Sequence, residues 1–239
     1  MKCLDLTLAT PEQNLAADEA LLEGCETGRT GEVLRFWEPR DYFVVLGYAN
    51  KIATEVQTTS CETRGVPIRR RCSGGGTVLQ GPGCLNYSLV LSIDPAGPTA
   101  GISGTNAFVM QRQRQALQSL LSSPVHVEGV TDLALGSLKF SGNAQKRRRN
   151  SLLFHGTFLL SFNLPLIEQL LAPPAREPAY RHGRPHREFL TNLRLPAGVV
   201  KAALQAAWGA TKPMEWNLDE DIGRLVTAKY STAAWNLKF

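Results

Sequence analysis

Apolar residues along this chain switch between two spacings, and the switches divide it into elements. At residues 14–25, Leu15, Leu21, Leu22 and Cys25 recur at helical spacing and Gly28 follows as a stop, which predicts an amphipathic helix. Residues 33–37 and 42–47 are β-rich runs joined by Glu38-Pro39-Arg40-Asp41, turn chemistry that predicts a hairpin. A weak helical pattern over 55–64 ends at Gly65, and a strand over 66–70 leads to the tract Ser73-Gly74-Gly75-Gly76. Strands are expected at 77–79 and 85–93, on either side of Gly81-Pro82-Gly83. After a Pro- and Gly-rich loop, Thr105 reads as the N-cap of a helix to Leu121, with Phe108, Leu117, Leu120 and Leu121 as its buried stripe. Further strands fall at 125–128, 133–135, 138–141 and 152–162, with Lys146-Arg147-Arg148-Arg149 as a hairpin tip. A helix at 165–171, a Pro-, His- and Arg-rich loop at 173–188, and helices near 198–208 and 218–230 complete the chain. One helix, then mostly antiparallel strands with helices inserted, predicts an α+β fold: a mixed, mostly antiparallel sheet with helices packed outside, forming a single domain over 1–239.

Composition narrows the setting. The hydrophobic share of 43% and charged share of 20% are those of a soluble globular chain, and no apolar stretch approaches the ~20 residues that span a bilayer. The first residues carry neither a basic nor an apolar leader region, so a cytoplasmic protein is expected. Cys3, Cys25, Cys61, Cys72 and Cys84 are odd in number and lack a C-x-x-C pair, which predicts reduced thiols and neither a disulfide framework nor a zinc site. The net charge of +5 is concentrated in Arg69-Arg70-Arg71 and Lys146-Arg147-Arg148-Arg149, runs that could serve an anionic ligand or an acidic partner, although most such runs are simply solvated.

Three local features could carry chemistry. Consecutive glycines behind Arg71 let the backbone lie against a ligand and offer its N–H groups to an anion. The tract has no P-loop Lys-Ser/Thr, and it leads into a strand where a dinucleotide fingerprint would open a helix. By itself it is equally a flexible turn. Lys139, between Leu138 and Phe140, faces away from its apolar neighbours, toward solvent or a cleft, with Asp132 in range to pair. His155, followed by Gly156 and Thr157, is alone more often a half-buried packing residue than a catalyst.

Taken together, Arg71 with Ser73, Gly74, Gly75, Gly76, Thr77 and Val78, then Gly83 with Leu85, Asn86, Tyr87 and Ser88, then Asp132, Lys139, Phe140, Ser141, Gly142, Asn143 and Ala144, then His155, Gly156 and Thr157, resemble the lipoate-protein ligase and octanoyltransferase family. Supporting segments at residues 14–22, 34–37, 45–47, 191–193, 229–231 and 235–236 extend the resemblance over nearly the whole chain. The resemblance implies an acyl chain held in a tunnel with ATP and Mg²⁺ beside it. It implies Lys139 as the catalytic residue, bridging the substrate carboxylate and the α-phosphate. Arg71, Ser73 to Gly76, Thr77, Val78, Asn86, Gly142, Ala144, Gly156 and Thr157 would bind lipoate or its adenylate, and Asp132 and His155 would flank the site. No metal ligand is assigned, since Mg²⁺ would travel with ATP.

The branch within the family follows from what is missing. Transferases of this kind use an acyl-cysteine downstream of the family lysine, and no cysteine follows Cys84, which favours ATP-dependent activation of lipoate or octanoate and transfer to a lysine of a lipoyl-domain acceptor protein. Cys72 is read as a small residue tolerated in the loop. Thr131 stands where ligases of the family usually have Asn, and no accessory C-terminal domain is seen, so a separate accessory chain is an expected partner. The alternatives are an octanoyl or lipoyl transferase fed by acyl carrier protein or a lipoylated protein, and a non-enzymatic lipoyl-nucleotide or nucleic-acid binder. Membrane and nucleic-acid partners are not expected.

Overall fold

A computed structural model describes residues 1–174 and 177–239. Its strands are β1 (Lys2–Asp5), β2 (Val33–Trp37), β3 (Phe43–Leu46), β4 (Ile68–Arg70), β5 (Val78–Gln80), β6 (Cys84–Ser92), β7 (Val125–Glu128), β8 (Asp132–Leu135), β9 (Leu138–Arg147), β10 (Ser151–Leu159) and β11 (Lys212–Pro213). Its helices are α1 (Pro11–Glu26), α2 (Ile52–Glu55), α3 (Thr58–Thr63), α4 (Ile102–Gln118), α5 (Pro165–Leu170), α6 (His186–Phe189), α7 (Ala197–Trp208), α8 (Asp219–Leu225) and α9 (Ala233–Asn236), with a 3-10 turn at Ala179–Arg181 and a π-helical turn at Val226–Tyr230. The main sheet runs β11-β1-β2-β6-β10-β9-β8-β7, parallel where β1 meets β11 and β2 and antiparallel elsewhere. A smaller sheet runs β4-β3-β5. This is the expected α+β architecture of a mixed sheet with helices outside.

Strand periodicity decides what each face holds. Leu34 and Phe36 of β2, Leu89 and Leu91 of β6, and Phe154 of β10 pack with Val109, Met110 and Leu117 of α4 and Val200 and Leu204 of α7. Val33 and Trp37, Val90 and Leu153 face the other way, onto Leu15, Ala16, Leu21 and Leu22 of α1 and Ile222 and Leu225 of α8. A third cluster joins β3 and β5 to α3 and α5 through Val44, Leu46, Cys61, Leu79, Leu166 and Leu170.

Because β2 is covered on both faces, Arg35 is fully buried on the α1 side. Asn14 and Asp18, one helical turn apart on α1, meet it there: Arg35 donates to Asp18 Oδ1 at 2.6 Å, to Asn14 Oδ1 at 2.7 Å, and to the Asn14 and Leu6 carbonyls. Burial opposes ionisation of Asp18, but Arg35 and His155 outweigh it and hold its carboxyl below the ordinary carboxylate range.

Several expectations change. β2 and β3 do not form a hairpin; they enter different sheets, because β3 is claimed by β4 and β5. The helix read at 14–25 begins three residues earlier, at a capping box in which Thr10 accepts from the Gln13 amide and Gln13 reaches back to the Thr10 amide. Thr105 is not an N-cap: α4 begins at Ile102, and the Thr105 hydroxyl donates within the helix to the Gly101 carbonyl. The helix at 55–64 is two short ones, α2 and α3. Lys146 and Arg147 belong to β9, which is longer than expected, so the tip is reduced to residues 148–150. The loop expected at 173–188 includes residues 175 and 176, outside the described residues, and elsewhere carries the 3-10 turn and α6. β1 and β11 carry no alternation strong enough to mark them. Among the described residues no helix is long and apolar enough to cross a membrane.

Removing one member of a buried ion pair strands the other, so Asp18→Asn should lower the unfolding free energy by about 3–5 kcal/mol in urea titrations. The Asp18 contribution is complete above the ordinary carboxylate range and is lost as pH falls through its lowered native value, so wild type and variant should converge on acidification.

Candidate active site

A cavity of about 490 Å³ lies between the α1 face of the main sheet, the small sheet and the segment that carries α6. Its floor is set by cross-strand pairing: Thr157 of β10 lies between Asn86 and Gly142, and His155 lies between Ser88 and Ala144. Directly opposed residues point to one face, so this surface alternates polar groups with residues too small to fill the space. A side chain at Gly142 would put its Cβ 2.9 Å from Lys139 Nζ, so the glycine makes room for the ammonium. Gly156 is crossed by Asn143, whose Oδ1 would lie 1.7 Å from an added Cβ and which accepts from the Tyr87 hydroxyl at 2.6 Å. Gln80, Asn86 and Thr157 close a ring of hydrogen bonds on the wall, with no charge in it.

Lys139 owes its direction to a bulge. Between β8 and β9 the register shifts, with Ser141 opposite Leu133 and Lys139 opposite Ala134, so Phe140 is the extra residue and inserts into the core. The Lys139 ammonium reaches Asp132 Oδ1 at 2.8 Å, and the Tyr180 hydroxyl donates to Asp132 Oδ2 at 2.8 Å. Tyr180 comes from the far wall.

The glycine loop is wired from behind. Arg71 is buried, and its guanidinium donates to the carbonyls of Gly74, Gly76 and Val45 and to the Ser73 hydroxyl. Desolvation pushes its pKa down to about 10, which leaves it charged at neutral pH. Gly75 takes φ +86°, in the left-handed region, with Arg71 Nη2 and Ala144 Cβ against the position a side chain would occupy. The downstream end is tied by Thr77 and Asn50, both donating to Glu55.

Ser73 Oγ is 2.6 Å from His155 Nε2, and His155 Nδ1 is 3.2 Å from Asp18 Oδ2. Serine, histidine and aspartate in this order look like a hydrolytic triad. Ser73, however, is fully buried and does not reach the cavity, and both imidazole nitrogens are occupied. The relay is therefore a latch: it ties the loop through His155 to the Arg35–Asp18 pair.

Of the sequence-derived candidates, Arg71, Gly76, Thr77, Val78, Asn86, Asp132, Lys139, Gly142, Ala144, His155, Gly156 and Thr157 line the cavity, whereas Ser73, Gly74 and Gly75 stand behind it. Sequence reasoning missed Asp18, Glu55, Tyr180 and His186. Only Asp18 left a trace, as a carboxylate four residues from Asn14 inside an apolar helical run. Cys72 faces the α1 core, where burial pushes its thiol up to about 12, an inert position. The basic runs are largely engaged: Arg69 pairs with Glu12, Arg70 holds five backbone carbonyls, Arg147 holds those of Thr99 and Ala100, and Arg148 pairs with Glu23.

The model of the lipoyl protein ligase A/B catalytic domain matches residues 10–203. The chain belongs to this family. Lipoate-protein ligase A subunit 1 of Thermoplasma acidophilum is 28% identical over 253 residues, 97% of this chain and 95% of its own. Octanoyltransferase LipM of Moorella thermoacetica is 27% identical over 265 residues, 98% and 96% of the two chains. Among solved structures, the bi-partite lipoate protein ligase of Thermoplasma acidophilum, described with its E2 lipoyl domain, superposes with a TM-score of 0.83 at 23% identity over 99% of this chain and 95% of that one. A lipoate-protein ligase A bound with ATP gives 0.82 at 24% identity over 99% of both chains. A Thermoplasma acidophilum protein with bound lipoic acid gives 0.82 at 24% identity over 99% and 98%. These structures share the fold of this family member.

The loop makes a sharp contrast available. Gly75→Ala places a side chain at positive φ against Arg71 and should lower stability by about 1–2 kcal/mol; Gly74→Ala, which meets open space, should stay within about 0.5 kcal/mol of wild type. Thermal unfolding of the two variants measures the difference.

Proposed function

We propose that this family member is an ATP-dependent lipoate-protein ligase, which joins lipoate or octanoate to AMP and passes the acyl group to a lysine of a lipoyl domain. The observation that carries the reading is the Lys139 ammonium, held by Asp132 on the wall of a cavity that, among the described residues, no cysteine lines. A transferase working through an acyl-cysteine would need a thiol there. Relatives named as ligases and as octanoyltransferases both align along the chain, so the missing thiol is what selects between them.

In the first step a carboxylate oxygen attacks the α-phosphorus of ATP and the bond to pyrophosphate breaks. Two anions must approach, and a cation fixed between them lowers that barrier. Lys139 is placed for this: Gly142 leaves its head group free space, and Asp132 holds it from one side only. The backbone from Gly76 to Val78, which lines the cavity at the end of the loop braced by Arg71, would offer N–H groups to the adenylate. Mg²⁺ would neutralise the polyphosphate; no three metal-ligating side chains converge among the described residues, so it would be carried mainly by the nucleotide. The acyl chain would lie along Leu15, Trp37, Val45 and Val78.

The acceptor is a lipoyl-domain protein, and a second chain supplies the accessory function to this 1–239 catalytic domain, as the bi-partite organisation of the Thermoplasma acidophilum ligase supports. A reducing, cytoplasmic setting fits five unpaired cysteines.

Incubation with ATP, Mg²⁺, lipoate or octanoate and an apo lipoyl domain should add the acyl mass to the acceptor. Lys139→Ala should slow adenylate formation by about 100- to 1,000-fold. Acyl transfer that proceeds from acyl carrier protein without nucleotide, or a variant as fast as wild type, would reject the assignment.

A further inference from the structure

Amide formation makes a demand that Lys139 does not meet. An acceptor lysine arrives as an ammonium, with an ordinary pKa of about 10.4, and its nitrogen has no lone pair until a proton leaves. Most polar groups on the cavity wall are already committed. Asp132 takes Lys139 on one oxygen and Tyr180 on the other. Glu55 accepts from Thr77 and Asn50, and Glu177 accepts from the Gly183 amide and faces Arg181. His155 has Ser73 and Asp18 on its two nitrogens.

His186 differs. It opens α6, in the segment that forms the wall opposite the sheet, and it lines the cavity together with Lys139. Its Nε2 is buried and has no hydrogen-bond partner among the described residues. A proton on Nδ1, toward the Ala172 carbonyl that favours the protonated ring, would leave Nε2 with the free lone pair. The ring is held in place by the chain around it: the Leu190 amide donates to the His186 carbonyl, and the Thr191 amide donates to that of Lys139, which docks the segment on β9.

Resting on the reading of this chain as an acyl-adenylate ligase, we propose that His186 is the general base of the transfer step. The acceptor ε-ammonium gives one proton to Nε2, and the amine lone pair adds to the acyl carbonyl carbon. The carbon–oxygen bond to the phosphate breaks with its electron pair leaving on AMP, and the second nitrogen proton passes to solvent as the amide forms. The surroundings keep the base in its reactive form: burial, then Arg181 on the 3-10 turn and Lys139 on β9, lower the pKa of His186 below its ordinary value, against the Ala172 carbonyl and Glu168 of α5, which raise it. A neutral imidazole near pH 7 accepts protons where a carboxylate with an ordinary pKa of about 4 is a poor base.

The test separates the two half-reactions by supplying lipoyl-AMP ready-made to enzyme and an apo lipoyl domain in single turnovers. Wild-type transfer should level off above about pH 6.5, where His186 is already neutral. His186→Gln should transfer about 100-fold more slowly and rise with pH without a plateau, while making lipoyl-AMP from ATP within about threefold of wild type. In ¹⁵N spectra, the imidazole signal that disappears in His186→Gln should show the Nδ1–H tautomer. A variant whose transfer rate and pH profile match wild type, a loss shared equally by both half-reactions, or an Nε2–H tautomer would overturn the role of His186. Failure of the wild type to make lipoyl-AMP from ATP would instead overturn the ligase reading, and it is seen in a separate assay.

Discussion

A fully buried guanidinium must find its charge and hydrogen-bond partners inside the protein, and the two terminal nitrogens of Arg35 find theirs in Asn14 and Asp18 of α1 and the Leu6 carbonyl just before it. That requirement sets how α1 lies on the sheet: Asn14 and Asp18 must face β2, which turns Leu15, Leu21 and Leu22 into the core beside them. Asp18 then has a second oxygen free for His155, and His155 a second nitrogen for Ser73. One ion pair thus fixes the helix, the sheet and the base of the glycine loop in a single chain of contacts. Its members need not touch a substrate to decide where the cavity wall stands.

The opposite wall follows a different logic. The bulge at Phe140 and the absence of a side chain at Gly142 together deliver an ammonium into open space, with a carboxylate on one side of it. The covering segment is joined to that centre by Tyr180 through Asp132 and by the contact of Lys139 with Leu190. Latched loop, aimed lysine and covering segment are each tied by hydrogen bonds or an ion pair, the kind of fixing that pre-organised charge stabilisation requires.

Much of this was legible from residues alone. Alternation located β2, β6 and β10 because each must present one side to α4 and α7 and the other to α1. The glycine tract, Lys139 and His155 stood out only in combination, since singly each also fits a turn, a solvated surface or a packing role. Less was legible where neighbours far along the chain made the decision. β3 left its apparent hairpin partner for β4 and β5, and β1 is a strand because β2 lies beside it, as β11 is because β1 does. Arg70 and Arg71 resembled a solvated basic run, yet both are buried braces on backbone carbonyls.

By itself, then, the sequence determined the class of fold, its principal elements and the residues with chemical potential, since periodicity and residue type are local properties. What the tertiary structure alone decided was the use of each group. His155 carries both nitrogens occupied and serves as a tie, whereas His186, in a stretch that read only as a Pro-, His- and Arg-rich loop, lines the cavity and has a buried nitrogen that no described residue partners. The physical reason is that a side chain's chemistry depends on which of its hydrogen-bonding positions remain uncommitted, and those partners are assembled from α1, β10, the glycine loop and the covering segment only when the chain has folded.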